Sequence, residues 1–225
     1  MKCWICGDDA TTGEHLTKAS DLKALFGTVS QKQPLYLHRT NGQRVKVNSI
    51  RKSDELKSNA LLCPQCNNAR TAPFDKAWEA LSLYLRTKGR VCLTKSNPLR
   101  LENVFPGETK AQMLNVHLYF AKLFGCRIVE ADIPIEIGAF SDAIMNVKAH
   151  PELYISIGYS DGLQTGNTEI QSENIRGKCA FATWFYIVGP IAVNVMYAKP
   201  NESRKGLLRA WHPGSIKKRI KLAKY

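Results

Sequence analysis

The N-terminus of this 225-residue chain, Met-Lys-Cys-Trp-Ile-Cys, carries no apolar stretch that could serve as a secretory signal. A cytoplasmic location is the matching expectation. Acidic residues are scarce: 19 Asp and Glu stand against 32 Lys and Arg, for a net charge of +13. That balance favours a polyanionic partner, with DNA or RNA first. The chain shows no internal repeat, no low-complexity tract, no heptad pattern and no phosphate-binding glycine loop. Nothing in the pattern therefore sets an oligomeric state or points to a nucleotide ligand. Cysteine is too sparse for a disulfide scaffold, and the count of seven is odd. Cys92, Cys126 and Cys179 lie in apolar surroundings and read as buried thiols. Charge is absent from Cys179 to Ala198, a length that could span a bilayer. Gly189-Pro190 interrupts that run, and its β-branched and aromatic residues read better as two core strands, so no membrane partner is expected.

Hydrophobic residues make up 44% of the chain, enough to bury an ordinary core. The local pattern predicts a short helix over 21–26, with Ser20 as its cap and Gly27 as its stop. Alternating residues on either side of Asn41-Gly42 predict a β-hairpin over 34–47. His38, Arg39, Arg44 and Lys46 lie on its strands, so one face either follows a phosphate backbone or is simply solvated. Pro73 opens a helix to about residue 87, with Phe74, Ala77, Trp78, Leu81 and Leu85 on one stripe. Thr109 with Gln112 reads as a capping box for a buried helix ending at Phe124 and closed by Gly125. His117 on it reads as a core or interface histidine. A further helix is expected over 142–149, then strands over 153–159, 181–188 and 191–197. From Lys199 to Tyr225, nine Lys or Arg face one acid, Glu202. Within that tail Lys217, Lys218, Arg219 and Lys221 interleave with Ile216, Ile220 and Leu222, as a backbone-contacting arm or a solvated end with apolar anchors.

Two knuckles carry the chemistry. Cys3-Trp4-Ile5-Cys6 is followed by Glu14-His15, and Cys63-Pro64-Gln65-Cys66 is followed by Asn67-Asn68. The 56 residues between them close into a loop at little extra entropy. Four thiolates suit one tetrahedral zinc. Such a zinc has no position left for water, so it is structural, and a hydrolytic metal would be a second ion.

This order of motifs resembles the HNH family of nucleases, in the branch with Cys-x-x-Cys, an acid plus His, then Cys-x-x-Cys-Asn. The resemblance covers about residues 1–78. It implies a ββα-metal module that hydrolyses DNA phosphodiester bonds. His15 would be the general base, and Glu14 with Asn67 would hold Mg²⁺ or Mn²⁺ at the leaving 3′ oxygen. A histidine can take a proton near pH 7, and a hard cation wants oxygen ligands. The family's middle Asn, which orients the base, falls nearest Asn59, with Ser58 competing. The acid is Glu rather than Asp, and the last position is Asn rather than His. Arg70 either holds the scissile phosphate or lies on the surface; Asp75 either caps the helix or supports the site.

The expected fold is thus α+β: a zinc-stapled ββα-metal (HNH) module over 1–95 carrying the hairpin as an insertion, then a mixed α+β domain over 96–225. The alternative function is a non-catalytic zinc ribbon that binds nucleic acid.

Overall fold

Trp78, set on the apolar stripe of the helix α2 (Ala72–Tyr84), lies at the centre of the molecule. Its ring stacks on Tyr119 at 5.7 Å and meets Phe120 and Tyr186 edge-on. Tyr119 and Phe120 belong to the long helix α3 (Thr109–Glu130), and Tyr186 to the strand β9 (Lys178–Val188). One continuous apolar core therefore runs from Cys3 to Ile220, across the boundary expected near residue 95. The computed structural model describes residues 1–39, 41–89, 91–92, 98–162, 165–202, 207, 210–215 and 218–225. The expected boundary falls at 93–97, outside the described residues.

The fold is mixed α+β. In the N-terminal part, β1 (Thr12–His15) pairs antiparallel with β4 (Lys57–Leu62). Between them come α1 (Ala19–Phe26) and the hairpin of β2 (Leu35–His38) and β3 (Arg44–Val47). The hairpin forms where alternation and Asn41-Gly42 placed it; Gly42 takes the left-handed φ of 79° that the turn needs. Its inner residues pack with Leu22, Ile50 and Leu56 in a small core of their own. After β4 a π-helical turn, Gln65–Ala69, leads into α2, and a second such turn, Leu85–Gly89, ends it.

The C-terminal part is a six-stranded sheet. Its path is β12 (Ala223–Lys224), β6 (Leu153–Tyr159), β10 (Ile191–Ala198), β9 and β7 (Gly166–Asn167), with β8 (Gln171–Ile175) also on β9. Only the β12–β6 pair is parallel. The uncharged run forms β9 and β10, turning at Gly189-Pro190. Among the described residues no helix is long and apolar enough to cross a membrane. The small pair β5 (Leu99–Arg100) and β11 (Arg219–Ile220) ties the tail back. α3 packs against α2, β4 and α4 (Ile137–Met145).

Four local expectations are corrected. Helix α1 starts at Ala19 without a side-chain cap, because the Ser20 hydroxyl donates to Glu79 instead. The capping box does not form: Thr109 Oγ1 donates to Glu102 and Gln112 bonds Glu108. Helix α3 does not stop at Phe124. Gly125 lies mid-helix, where an added Cβ would stand 2.4 Å from the Trp4 ring. The glycine is there to admit Trp4, not to end the helix. Helix α4 spans Ile137–Met145 rather than 142–149.

Candidate metal centre and active site

The N-terminal knuckle is a tight turn. Gly7 N–H donates to Cys3 O at 2.8 Å, and Gly7 has φ of 84°, a left-handed position that suits glycine. Trp4 fills the space over Gly125, and Ser141 Oγ donates to Ile5 O at 2.5 Å, which docks the knuckle on α3 and α4. The second knuckle follows β4. Cys66 N–H donates to Cys63 Sγ at 3.3 Å and Asn67 N–H to Cys63 O at 2.9 Å.

The four sulfurs of Cys3, Cys6, Cys63 and Cys66 lie within 4.8 Å of one another. Cys6 and Cys63 are 3.5 Å apart, and all seven cysteines are free thiols. A tetrahedral zinc with bonds of about 2.3 Å spaces its sulfurs by about 3.8 Å, so this cluster has the dimensions of a zinc site. Electrostatics point the same way. Burial, with Asp8 and Cys63, pushes the Cys6 thiol up to about 11, and burial pushes Cys66 up further. Burial also opposes the Cys63 thiolate, yet the Cys66 N–H and neighbouring thiols bring that group below its ordinary value. Such a cluster stays largely protonated without a cation and could hold several thiolates only around one. Arg70 supplies part of that charge: its Nη1 donates to Cys66 Sγ at 2.9 Å. The guanidinium, expected either to hold a phosphate or to lie on the surface, is directed to the sulfur.

His15 ends β1, half-buried. Its Nε2 lies 3.0 Å from the carbonyl oxygen of Ile50. A carbonyl only accepts, so Nε2 carries the proton, and in the neutral ring the lone pair falls on Nδ1. The segment after His15 is held by the sheet. Asn167 Nδ2 donates to Leu16 O and Thr17 Oγ1, and Lys18 N–H donates to the Tyr186 hydroxyl. Asn67 reaches across from the π-helical turn, its Nδ2 donating to Thr12 Oγ1 at 3.1 Å and Gly13 O at 3.4 Å. Asn67 Oδ1 is buried and has no hydrogen-bond partner among the described residues.

Glu14 is turned the other way, as the alternation of a strand requires. It is 7% exposed, and its Oε2 lies 3.0 Å from Nζ of Lys122 on α3. Lys122 is wholly buried; it also donates to Thr71 Oγ1 at 3.1 Å and lies 3.5 Å from Asp75. Burial alone would lower its pKa, but Glu14 and Asp75 more than offset this and raise it. Asp75 also pairs with Lys18 at 3.1 Å, so it belongs to this ionic network rather than to a helix cap.

The other expected residues are more dispersed. Asn59 is exposed on β4 and its N–H, not its side chain, is engaged, with Glu130. Register sets Lys57 opposite His15, and among the described residues no hydrogen bond joins the Asn59 side chain to His15; Ser58 is buried and accepts from Ala60 N–H. Asn68 donates to Pro64 O. Arg44 and Lys46 are exposed on β3, with Arg44 stacked 3.8 Å over the Tyr36 ring. Lys217 lies outside the described residues; Lys218, Arg219 and Lys221 are exposed. No sequence signal marks Lys122, buried within an apolar helix, or Ile50 and Asn167, which act through a backbone carbonyl and a distant strand.

Compared with protein-family models, with curated proteins and with solved structures, the chain matches none.

Proposed function

We propose that this chain is a phosphodiester-cleaving endonuclease of the HNH type, acting on DNA, with the Cys3, Cys6, Cys63 and Cys66 cluster as its structural zinc staple. The observation that carries the reading is at His15. Its Nε2–H is fixed on the Ile50 carbonyl, which leaves Nδ1 as a proton acceptor at the end of β1. Asn67, 52 residues away in sequence, is brought onto the same strand by the turn that also holds Cys66. In the step we assign to it, Nδ1 takes a proton from water. The water oxygen attacks phosphorus, the P–O3′ bond breaks, and the 3′ oxygen is protonated from solvent.

A Mg²⁺ or Mn²⁺ ion at this site needs free oxygens. Asn67 Oδ1 is buried without a partner and suits that role; the Glu14 carboxylate is committed to Lys122 and does not. As arranged, the two residues together do not fit a bound cation.

The Glu14–Lys122 pair favours a second reading: a zinc module that binds nucleic acid without cutting it. Plasmid nicking by the zinc-loaded protein, with Mg²⁺, with Mn²⁺ and after removal of free divalent ions, separates the two. Nicking supports the nuclease, and its dependence on the added ion shows whether Glu14 must leave Lys122. DNA binding with no nicking under any of these conditions would leave the binding module.

A further inference from the structure

The turn that fixes the tautomer of His15 is built to carry more than a carbonyl. Ile50 is buried in the small core with Leu22, Val47 and Leu56, and Ser49 closes the turn by accepting the Lys52 and Ser53 N–H groups. The backbone at 49–53 is therefore held against His15, and Arg51 follows the bonded Ile50 carbonyl by one peptide unit.

Arg51 and Lys52 are both exposed, and among the described residues no acid pairs with either. Acids are close at hand in the chain, yet each has another partner. Asp54 pairs with Lys57 and Glu55 with Arg39. The same stretch of chain begins on β3, where Arg44 and Lys46 are also exposed and pair with no acid among the described residues. Register sets Lys46 opposite Tyr36 and Arg44 opposite His38, so this face holds two cations and an aromatic ring with no negative charge. Lys18, Arg86, Arg127 and Lys199 are neutralised by acids, whereas Lys110 and Lys178 have no ion pair among the described residues. A run of cations without acid partners that ends at the turn bonded to His15 has the charge pattern of a polyanion track.

We infer that the segment from Arg44 to Lys52 is the track along which a DNA backbone reaches His15. Arg51 and Lys52 hold the phosphate at the base, and Lys46 and the Tyr36–Arg44 stack hold the strand beside it. The placement at the base rests on the nuclease reading, whereas the binding surface does not.

The test is fluorescence anisotropy of a labelled DNA duplex at several salt concentrations. It compares the wild type with Arg51→Ala/Lys52→Ala and with Lys110→Ala/Lys178→Ala, which removes the same charge from α3 and β9. Circular dichroism and zinc content serve as checks on folding. The expected result is binding weakened about tenfold in the first pair, with the salt slope reduced by about two, and a smaller effect in the second. Equal effects of the two pairs, or no effect of the first, would overturn the track. Because binding is read without cleavage, a wild type that binds through Arg51 and Lys52 but never nicks DNA would count against the nuclease alone.

Discussion

Lys122 of α3 and Glu14 of β1 form an ion pair with both partners removed from water, 3.0 Å apart. It joins the strand that bears His15 to the central helix of the fold. Removing one partner of such a pair leaves a buried charge and costs about 3–5 kcal/mol, whereas neutralising both costs far less. Lys122→Met should therefore destabilise the protein by that amount in chemical denaturation. Glu14→Gln/Lys122→Met should recover most of the loss and retain any nicking the wild type shows. A stably folded double variant without nicking would return Glu14 to the active site.

Trp4 and Gly125 give a second test. A Cβ at 125 would stand 2.4 Å from the ring, so either the indole moves or the helix does. Gly125→Ala should cost about 1–3 kcal/mol, as overpacking does, and should weaken zinc retention through the displaced knuckle. Competition with a chromogenic chelator reads the second effect. An unchanged chelator titration together with unchanged stability would mean that the knuckle does not depend on this contact.

These two contacts also show what sequence patterns reveal and what they conceal. The hairpin was legible because two-residue alternation and Asn41-Gly42 act locally. The α2 stripe was legible because Phe74, Ala77, Trp78, Leu81 and Leu85 must share one face, and all five are buried. Strands β6, β9 and β10 follow from β-branched and aromatic runs. The four-cysteine cluster followed from spacing, and the turn of the second knuckle sets Asn67 against Thr12 and Gly13 of the strand that bears His15. The misses are positions where a distant partner outweighs a local preference. Ser20 is drawn away by Glu79, Thr109 by Glu102, and Gly125 is set by Trp4. The β1–β4 register is irregular between Gly13 and His15, which no count of residues reveals.

A third prediction concerns pH. His150 Nδ1 accepts the Glu152 N–H, and His117 Nε2 accepts the His150 N–H. Both rings are therefore neutral, and their remaining nitrogens, His150 Nε2 and His117 Nδ1, are buried without partners. Burial lowers His150 from 6.5 to about 4, with Glu152 opposing and His212 and Lys199 assisting; burial lowers His117 well below 6.5. Protons bind the unfolded chain first, so this stability is complete above pH 6.5 and is lost as pH falls toward 4. For His150 the loss is up to about 3 kcal/mol. His150→Asn should flatten that part of the urea-midpoint profile. A profile parallel to the wild type would show that His150 is not held neutral.

The basic tail supplies a fourth. Its charged residues alternate with anchors: Ile220 and Ala223 are buried, β12 pairs with β6, and Trp211 exchanges backbone hydrogen bonds with Ile155. At Gly158 a Cβ would lie 2.1 Å from the Ala223 oxygen, so β12 lies directly over that glycine. Gly158→Ala should lower the thermal midpoint by displacing β12. Lys218→Ala/Lys221→Ala should leave it within a degree or two, since surface changes are usually within about 0.5 kcal/mol. The reverse order would mean that the tail is held by its charges.

The central claim is that His15 Nδ1 activates water at a zinc-stapled site. The most direct measurement is plasmid nicking by His15→Ala beside the wild type, with zinc content and DNA affinity determined on the same preparations. The account predicts a loss of nicking of at least about a hundredfold, the usual contribution of a general base, with zinc and affinity unchanged. A variant that nicks at the wild-type rate, with zinc and affinity intact, would contradict it.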